Sequence, residues 1–381
     1  MRNIGVWALG LAAAVGGMAC ADQGSSSDGT TTQAGAGVLL ESVKLDPRSR
    51  IEGEVQQVNL ITDSMKANQA AHADPTLLNP WGLAFFPQGP AWISANGNGT
   101  LNVYDGNGNP ARDEVAIPPT APTGATPDGL VFNPNPKDFR GDTFIAVTED
   151  GDVIGWKGSD GDTATVRLNN APAVYKGVTV GEANGRPHLY AADFHDGVVA
   201  VFDADYHRAR LPGSFTDPRL PSGFAPFNLI DAGPFLLVSY AKQDDDRHDD
   251  VAALGNGFVD LFTTEGFFVQ RLISQGQLDS PWAMLFAPDR DRASIDLLVG
   301  NFGNGRINVY DLSLRHGGLQ ADFEGALGDS AGNPIFIDGL WALAFGSGGA
   351  NFDASKIYFT AGPNGESDGL FGSLTFTGPR R

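Results

Sequence analysis

The chain of 381 residues has one cysteine, Cys20, placed ahead of every strand-like run. Without another thiol the mature fold has no disulfides, so burial alone must hold it together. Basic residues are also scarce: 25 Lys and Arg face 45 Asp and Glu, a formal charge of −20. That balance argues against a nucleic-acid partner and against adsorption to anionic lipid heads. Helical periodicity of useful length is missing from the body of the chain, which excludes a stack of helical pairs. Also missing are a Gly-x-Ser-x-Gly elbow, His-Glu-x-x-His, Cys-x-x-Cys and a phosphate-cradling strand–helix turn. No catalytic signature rises above background, and none calls for a cofactor. Gly97-Asn98-Gly99 and Gly303-Asn304-Gly305 lie between strand-like runs and read as turns, not dinucleotide fingerprints.

The N-terminus is laid out for export. Met1-Arg2 is a short positive start, residues 4–15 are apolar and uncharged, and Gly16-Gly17-Met18-Ala19 approaches a cleavage point. The apolar run is too short to span a bilayer as a helix. A cysteine here, followed by a Ser/Gly/Thr tract, resembles the lipid-modified cysteine of bacterial lipoproteins, although Gly17 stands where an aliphatic residue is usual. This reads as residues 1–20 signal peptide and 21–54 flexible tether, with Cys20 carrying the lipid. Ala19-Cys20-Ala21 is also an ordinary A-x-A site, and cutting after Ala21 would discard the thiol.

What is abundant is turn residues and aromatics: 50 Gly, 24 Pro, 24 Phe, 7 Tyr and 6 Trp. Strand-like cores recur as Trp81-Gly82-Leu83, Asp128-Gly129-Leu130, Lys176-Gly177-Val178, Phe227-Asn228-Leu229, Trp282-Ala283-Met284 and Trp341-Ala342-Leu343. Their second residues are 47, 48, 51, 55 and 59 apart. A second and a third apolar run follow each core, and Asn98-Gly99, Asp150-Gly151, Asp196-Gly197, Asn304-Gly305 and Asn364-Gly365 fit two-residue hairpin turns between them. Repeats of three or four strands at a period near 50 predict an all-β, six-bladed β-propeller over residues 55–381. The last repeat ends one strand short. Residues 55–61 resemble 269–273, an outer strand, so an N-terminal strand over 55–62 is predicted to complete the sixth blade.

Asn79-Pro80-Trp81-Gly82-Leu83-Ala84, Tyr240-Ala241-Lys242-Gln243-Asp244, Asn301-Phe302-Gly303-Asn304-Gly305 and Asp368-Gly369-Leu370-Phe371-Gly372 together resemble an exported bacterial propeller family of unassigned activity. The resemblance spans most of residues 58–374 and implies six blades and export. More distantly, the layout is similar to NHL-repeat and gluconolactonase-like propellers. The lactonases' metal site implies an acidic ligand where this chain has Asn79-Pro80-Trp81, which counts against that activity.

Propeller geometry puts the loops entering each core and the second-to-third turns on one face. Two stretches there depart from the repeat. One is the loop 62–78, with His72 and Asp74. The other is the insertion 242–254, with Lys242, Asp244, Asp245, Asp246, His248, Asp249 and Asp250. The insertion reads as a Ca²⁺ loop or as a solvated acidic surface; its spacing is not that of an EF-hand. His195, beside Asp196, reads as a base, a ligand or a rim residue. Asp128, Asn228 and Asp338, entering three cores, are the candidate central metal trio, with turn chemistry as their other reading. Trp81, Trp282 and Trp341 sit at equivalent positions and read as packing before any sugar platform. The expectation is a monomeric, non-catalytic module binding an unidentified ligand or envelope protein, tethered by its lipid; the alternative is a metal-dependent lactonase-like hydrolase.

Overall fold

Short apolar runs rich in Val, Ile, Leu and Phe, each stopped by Gly, Asn or Asp, suit strands and cannot build helices of useful length. In the computed structural model, which describes residues 38–43, 45, 53–288, 295–315 and 318–377, they form six sheets, antiparallel but for the short parallel pairing of His72–Ala73 with Glu54–Thr62, arranged as the blades of a propeller. The innermost strands are Pro80–Phe85, Pro127–Phe132, Tyr175–Ala183, Phe224–Asp231, Pro281–Pro288 and Leu340–Phe345. Each lies against the next, and Leu340–Phe345 lies against Pro80–Phe85, so the ring is closed.

Closure follows the predicted route. Glu54–Thr62 pairs antiparallel with Leu370–Thr377, with Val58 opposite Ser373 and Thr62 opposite Leu370. The strand that begins the fold thereby covers the backbone edge of the blade that ends it.

Small residues let the inner strands approach. A Cβ on Gly82 would stand 2.5 Å from the Asp128 carbonyl oxygen, and one on Gly177 would stand 2.1 Å from Asn228 Oδ1. No larger side chain fits at either place without moving the next blade.

The turns between second and third strands differ from the expected two-residue hairpins. Five of them run from three residues (149–151) to eight (362–369), and the one in blade four carries the insertion and spans 243–257. Gly99, Gly151, Gly197, Gly305 and Gly365 do take up the left-handed conformation, with φ between 60° and 80°. The extra length lets the residue just past the second strand, such as Asn96 or Glu149, turn inward toward the axis.

Part of the stretch predicted as flexible tether is docked. Residues 38–42 are helical, and Leu39 is fully buried with Ala232, Phe235, Met284 and Phe286 of blades four and five. Ser42 Oγ donates to the Ala232 carbonyl at 2.8 Å. This contact lies at the first-to-second strand turn of blade four, the face opposite the loops that enter the cores. Cys20 and the signal-like segment lie outside the described residues. No helix among the described residues is long and apolar enough to cross a membrane.

Candidate functional site

Side chains alternate along a strand, so the same position on six inner strands points the same way. The first residue of each core faces the axis: Trp81, Asp128, Lys176, Phe227, Trp282 and Trp341, none more than 4% exposed. The aromatic members pack together although they come from four different blades. Trp341 is sandwiched between Trp81, with centroids 3.3 Å apart, and Phe302, at 4.0 Å. Trp282 meets both tryptophans edge-on at about 6 Å. The predicted packing role of the tryptophans takes this form: they plug the axis.

Blades two and three break the aromatic ring with an acid and a base. Lys176 Nζ bonds Glu149 Oε1, lies 3.5 Å from Asp249 Oδ1 and stands 4.9 Å from the Trp81 ring centroid. The amide of Asn96 joins the two neighbouring carboxyl groups, with Nδ2 2.7 Å from Asp128 Oδ1 and 3.1 Å from Glu149 Oε2. His248 Nδ1 is 2.9 Å from Asp249 Oδ1. On the far side Asn79, held at φ 45°, donates through Nδ2 to Glu366 Oε2 at 2.8 Å and accepts from Trp341 Nε1 at 3.2 Å. Only a residue tolerating positive φ fits there, which explains the asparagine of the Asn-Pro-Trp-Gly sequence.

Burial sets the electrostatics. It raises the Asp128 carboxyl well above its ordinary range, and neighbouring Glu149 adds to the effect. Burial likewise pushes Glu366 up to about 7. Burial alone would lower Lys176, but the carboxylates of Glu149, Asp128 and Asp249 reverse the sign and hold it charged. The hydrogen bond from His248 draws Asp249 down to about 2, and the same bond raises His248.

Hydrogen-bonding capacity is left over in this centre. Asp128 Oδ2 and the indole Nε1 atoms of Trp81 and Trp282 are buried without a partner. Buried polar atoms are rarely left so unless a water, ion or ligand completes them. Among the described residues, Glu149, His248 and Asp249 each bring one ligand atom within 4.8 Å of the other two, spacing that would admit a metal ion.

The residues named from sequence are dispersed around this centre. Of the proposed trio only Asp128 reaches it. Asn228 stands one position beyond the axis-facing residue, so its side chain turns between blades. Its Nδ2 donates to the Trp282 carbonyl at 2.8 Å and its Oδ1 accepts from the Leu229 amide at 2.8 Å. Asp338 is exposed and accepts from the Asn364 amide at 2.8 Å. Within the insertion, Asp244 is used internally, accepting from the His248 amide at 2.9 Å. Asp245, Asp246 and Lys242 are exposed. Burial pushes Asp250 up to about 6. Gln243 ties the insertion to the neighbouring blade by donating to the Phe194 carbonyl at 2.5 Å. His195 stays at the rim, 3.2 Å from Asp196 Oδ1, and His72 is exposed on a short edge strand, His72–Ala73. Sequence reasoning missed Lys176 and Glu149. Their signal was positional: Lys176 is the first residue of the third core, and Glu149 immediately follows a second strand.

No protein-family profile matches the chain. It is 32% identical over 325 residues to Uncharacterized protein R648 of Acanthamoeba polyphaga mimivirus, covering 82% of this chain and 78% of that one. Uncharacterized protein L690 of the same virus is 31% identical over 323 residues, 80% and 82% of the two chains. This chain belongs to their family. Both relatives are viral, whereas the resemblance in the sequence implied a bacterial one, and neither carries a named activity. Among solved structures, a streptogramin B lyase shares 12% identity over 85% of this chain and 97% of its own, with a TM-score of 0.48. A gluconolactonase from Xanthomonas campestris shares 16% over 86% and 99%, with a TM-score of 0.43. These likenesses concern the propeller fold alone.

Proposed function

We propose that the protein is an exported, non-catalytic binding propeller, held at the cell envelope through Cys20, that takes a small polar ligand at its channel mouth. The observation that carries this reading is the unused hydrogen-bonding capacity of Asp128 Oδ2, Trp81 Nε1 and Trp282 Nε1 in the same centre as the Lys176 ammonium. Donors and acceptors side by side on an aromatic floor suit a ligand with both kinds of group, such as a polyol, and the rim of Glu149, Glu366, His248 and Asp249 is where it would enter. Among the described residues lining the mouth, none pairs a hydroxyl or thiol nucleophile with a base, and Lys176 is kept charged, which makes it a poor nucleophile.

Thermal melts of the mature chain against sugars, polyols, amines and organic acids test the proposal. A ligand that raises the melting temperature of the wild type and not of Lys176→Met supports it. A shift of equal size in both proteins places the ligand elsewhere and removes the mouth as the site. The second reading, a metal-dependent hydrolase of lactone type, is favoured by one observation, the convergence of Glu149, His248 and Asp249. Metal-dependent turnover of a lactone panel, abolished by EDTA, would establish it over the first.

A further inference from the structure

We infer that Glu149, His248 and Asp249 form a divalent transition-metal site, with the buried Asp128 carboxyl beside it, whose cation position is shared with the Lys176 ammonium, so that metal entry requires Lys176 to leave. The inference rests on the mouth being a binding site, but not on the nature of its organic ligand. Three observations carry it. Glu149, His248 and Asp249 bring their ligand atoms within 4.8 Å of one another, close enough that a small side-chain movement would let bonds of about 2.0–2.2 Å from one ion reach all three. Asp128 is fully buried with Oδ2 unpartnered, and Asn96 Nδ2, at 2.7 Å and 3.1 Å, holds its carboxyl beside that of Glu149. The third is that Lys176 Nζ already sits on two of the ligands, bonded to Glu149 and 3.5 Å from Asp249.

The donor set decides the metal class. One imidazole nitrogen with carboxylate oxygens suits Zn²⁺ or Mn²⁺. Calcium, which the acidic insertion suggested, prefers six to eight oxygens and no imidazole. The ammonium and the metal are alternatives because both need the same carboxylate lone pairs, and two cations at this spacing repel. A ring with lysine at this position therefore holds its own counter-ion, and a metal displaces it only by outcompeting a buried pair.

The test is calorimetric titration of the full mature chain with ZnCl₂, MnCl₂ and CaCl₂. Lys176→Met should bind Zn²⁺ or Mn²⁺ at least tenfold more tightly than the wild type, with no such gain for Ca²⁺, and adding Asp249→Asn should erase the gain. Equal affinity in wild type and Lys176→Met overturns the inference, as does a gain that survives Asp249→Asn. Should Lys176→Met fail to fold, Mn²⁺ titration of the folded wild type followed by paramagnetic resonance replaces it. There one bound ion lost on Asp249→Asn is expected, and equal binding by both proteins refutes the site. A wild type that binds no Zn²⁺ or Mn²⁺ while its melting temperature still rises with an organic ligand overturns this inference and leaves the proposed function standing, so the two readings fail separately.

Discussion

Asp128 and Lys176 occupy the same position on neighbouring inner strands, and Asn96 and Glu149 link them into one buried chain of contacts. The other four blades place an aromatic ring there, so two of the six axis-facing positions are charged and four are aromatic. A buried ammonium in that setting is tolerated only because carboxylates surround it. Removing Glu149 alone should therefore cost more stability than replacing Lys176 and Glu149 together by apolar residues. Denaturant melts of Glu149→Gln and of the double variant Lys176→Met/Glu149→Leu measure the contrast.

Gly177→Ala should destabilise the ring by about 1–3 kcal/mol, because overpacking forces neighbours off their positions. The added Cβ would meet Asn228 Oδ1 at 2.1 Å, and Asn228 is itself tied to the Trp282 carbonyl. Gly158→Ala, where nothing lies within 4 Å, is the control and should change stability by less than about 0.5 kcal/mol. Equal melts for the two variants would show that the inner strands give way easily.

Deleting residues 54–62 should lower the melting temperature far more than deleting 21–37. The first deletion strips the partner from Leu370–Thr377 and exposes that strand's edge as well as the apolar surface under the buried Ile61. Matching melting temperatures would refute closure by this strand.

Acidity should stabilise the fold through Asp260. It is fully buried, with Asp217 close by, Oδ1 accepting from Arg271 Nε at 3.2 Å and Oδ2 unpartnered. Burial first, and Asp217 second, push its carboxyl up to about 7, while Arg271 opposes them. An unfolded Asp titrates near ~3.9, so the folded state holds a proton that the unfolded state releases above that pH. The contribution is complete below about 4 and fades as pH rises toward 7. Melts of wild type and Asp260→Asn from pH 4 to 8 should show a shallower decline for the variant. Parallel curves would remove Asp260 as a cause.

Cys20→Ala should release the protein to a soluble fraction and abolish uptake of a fatty-acid label. A wild type that takes up no label and begins at Asp22 would instead establish ordinary cleavage.

Much of the architecture was legible along the chain. Turn residues at a period near 50 residues count the blades, and a missing last strand with a spare first one announces closure, because both are properties of local composition and order. The aromatic identity of Trp81, Trp282 and Trp341 at matched positions already pointed to shared packing. The site was different. Asn228, like Asp128, is a residue entering a core, yet the repeat places it one residue along, and one residue on a strand is the difference between facing the axis and facing the next blade. Glu149 and Asp249 carry no motif and lie 100 residues apart, and only the packing of blades two, three and four around the axis brings both to Lys176. The docking of Leu39 was equally hidden, since its partners come from blades four and five. Local chemistry thus determined how many strands form and how they pair. Which side chains share the axis, and with what charge, was decided by the register of six strands packed in a circle.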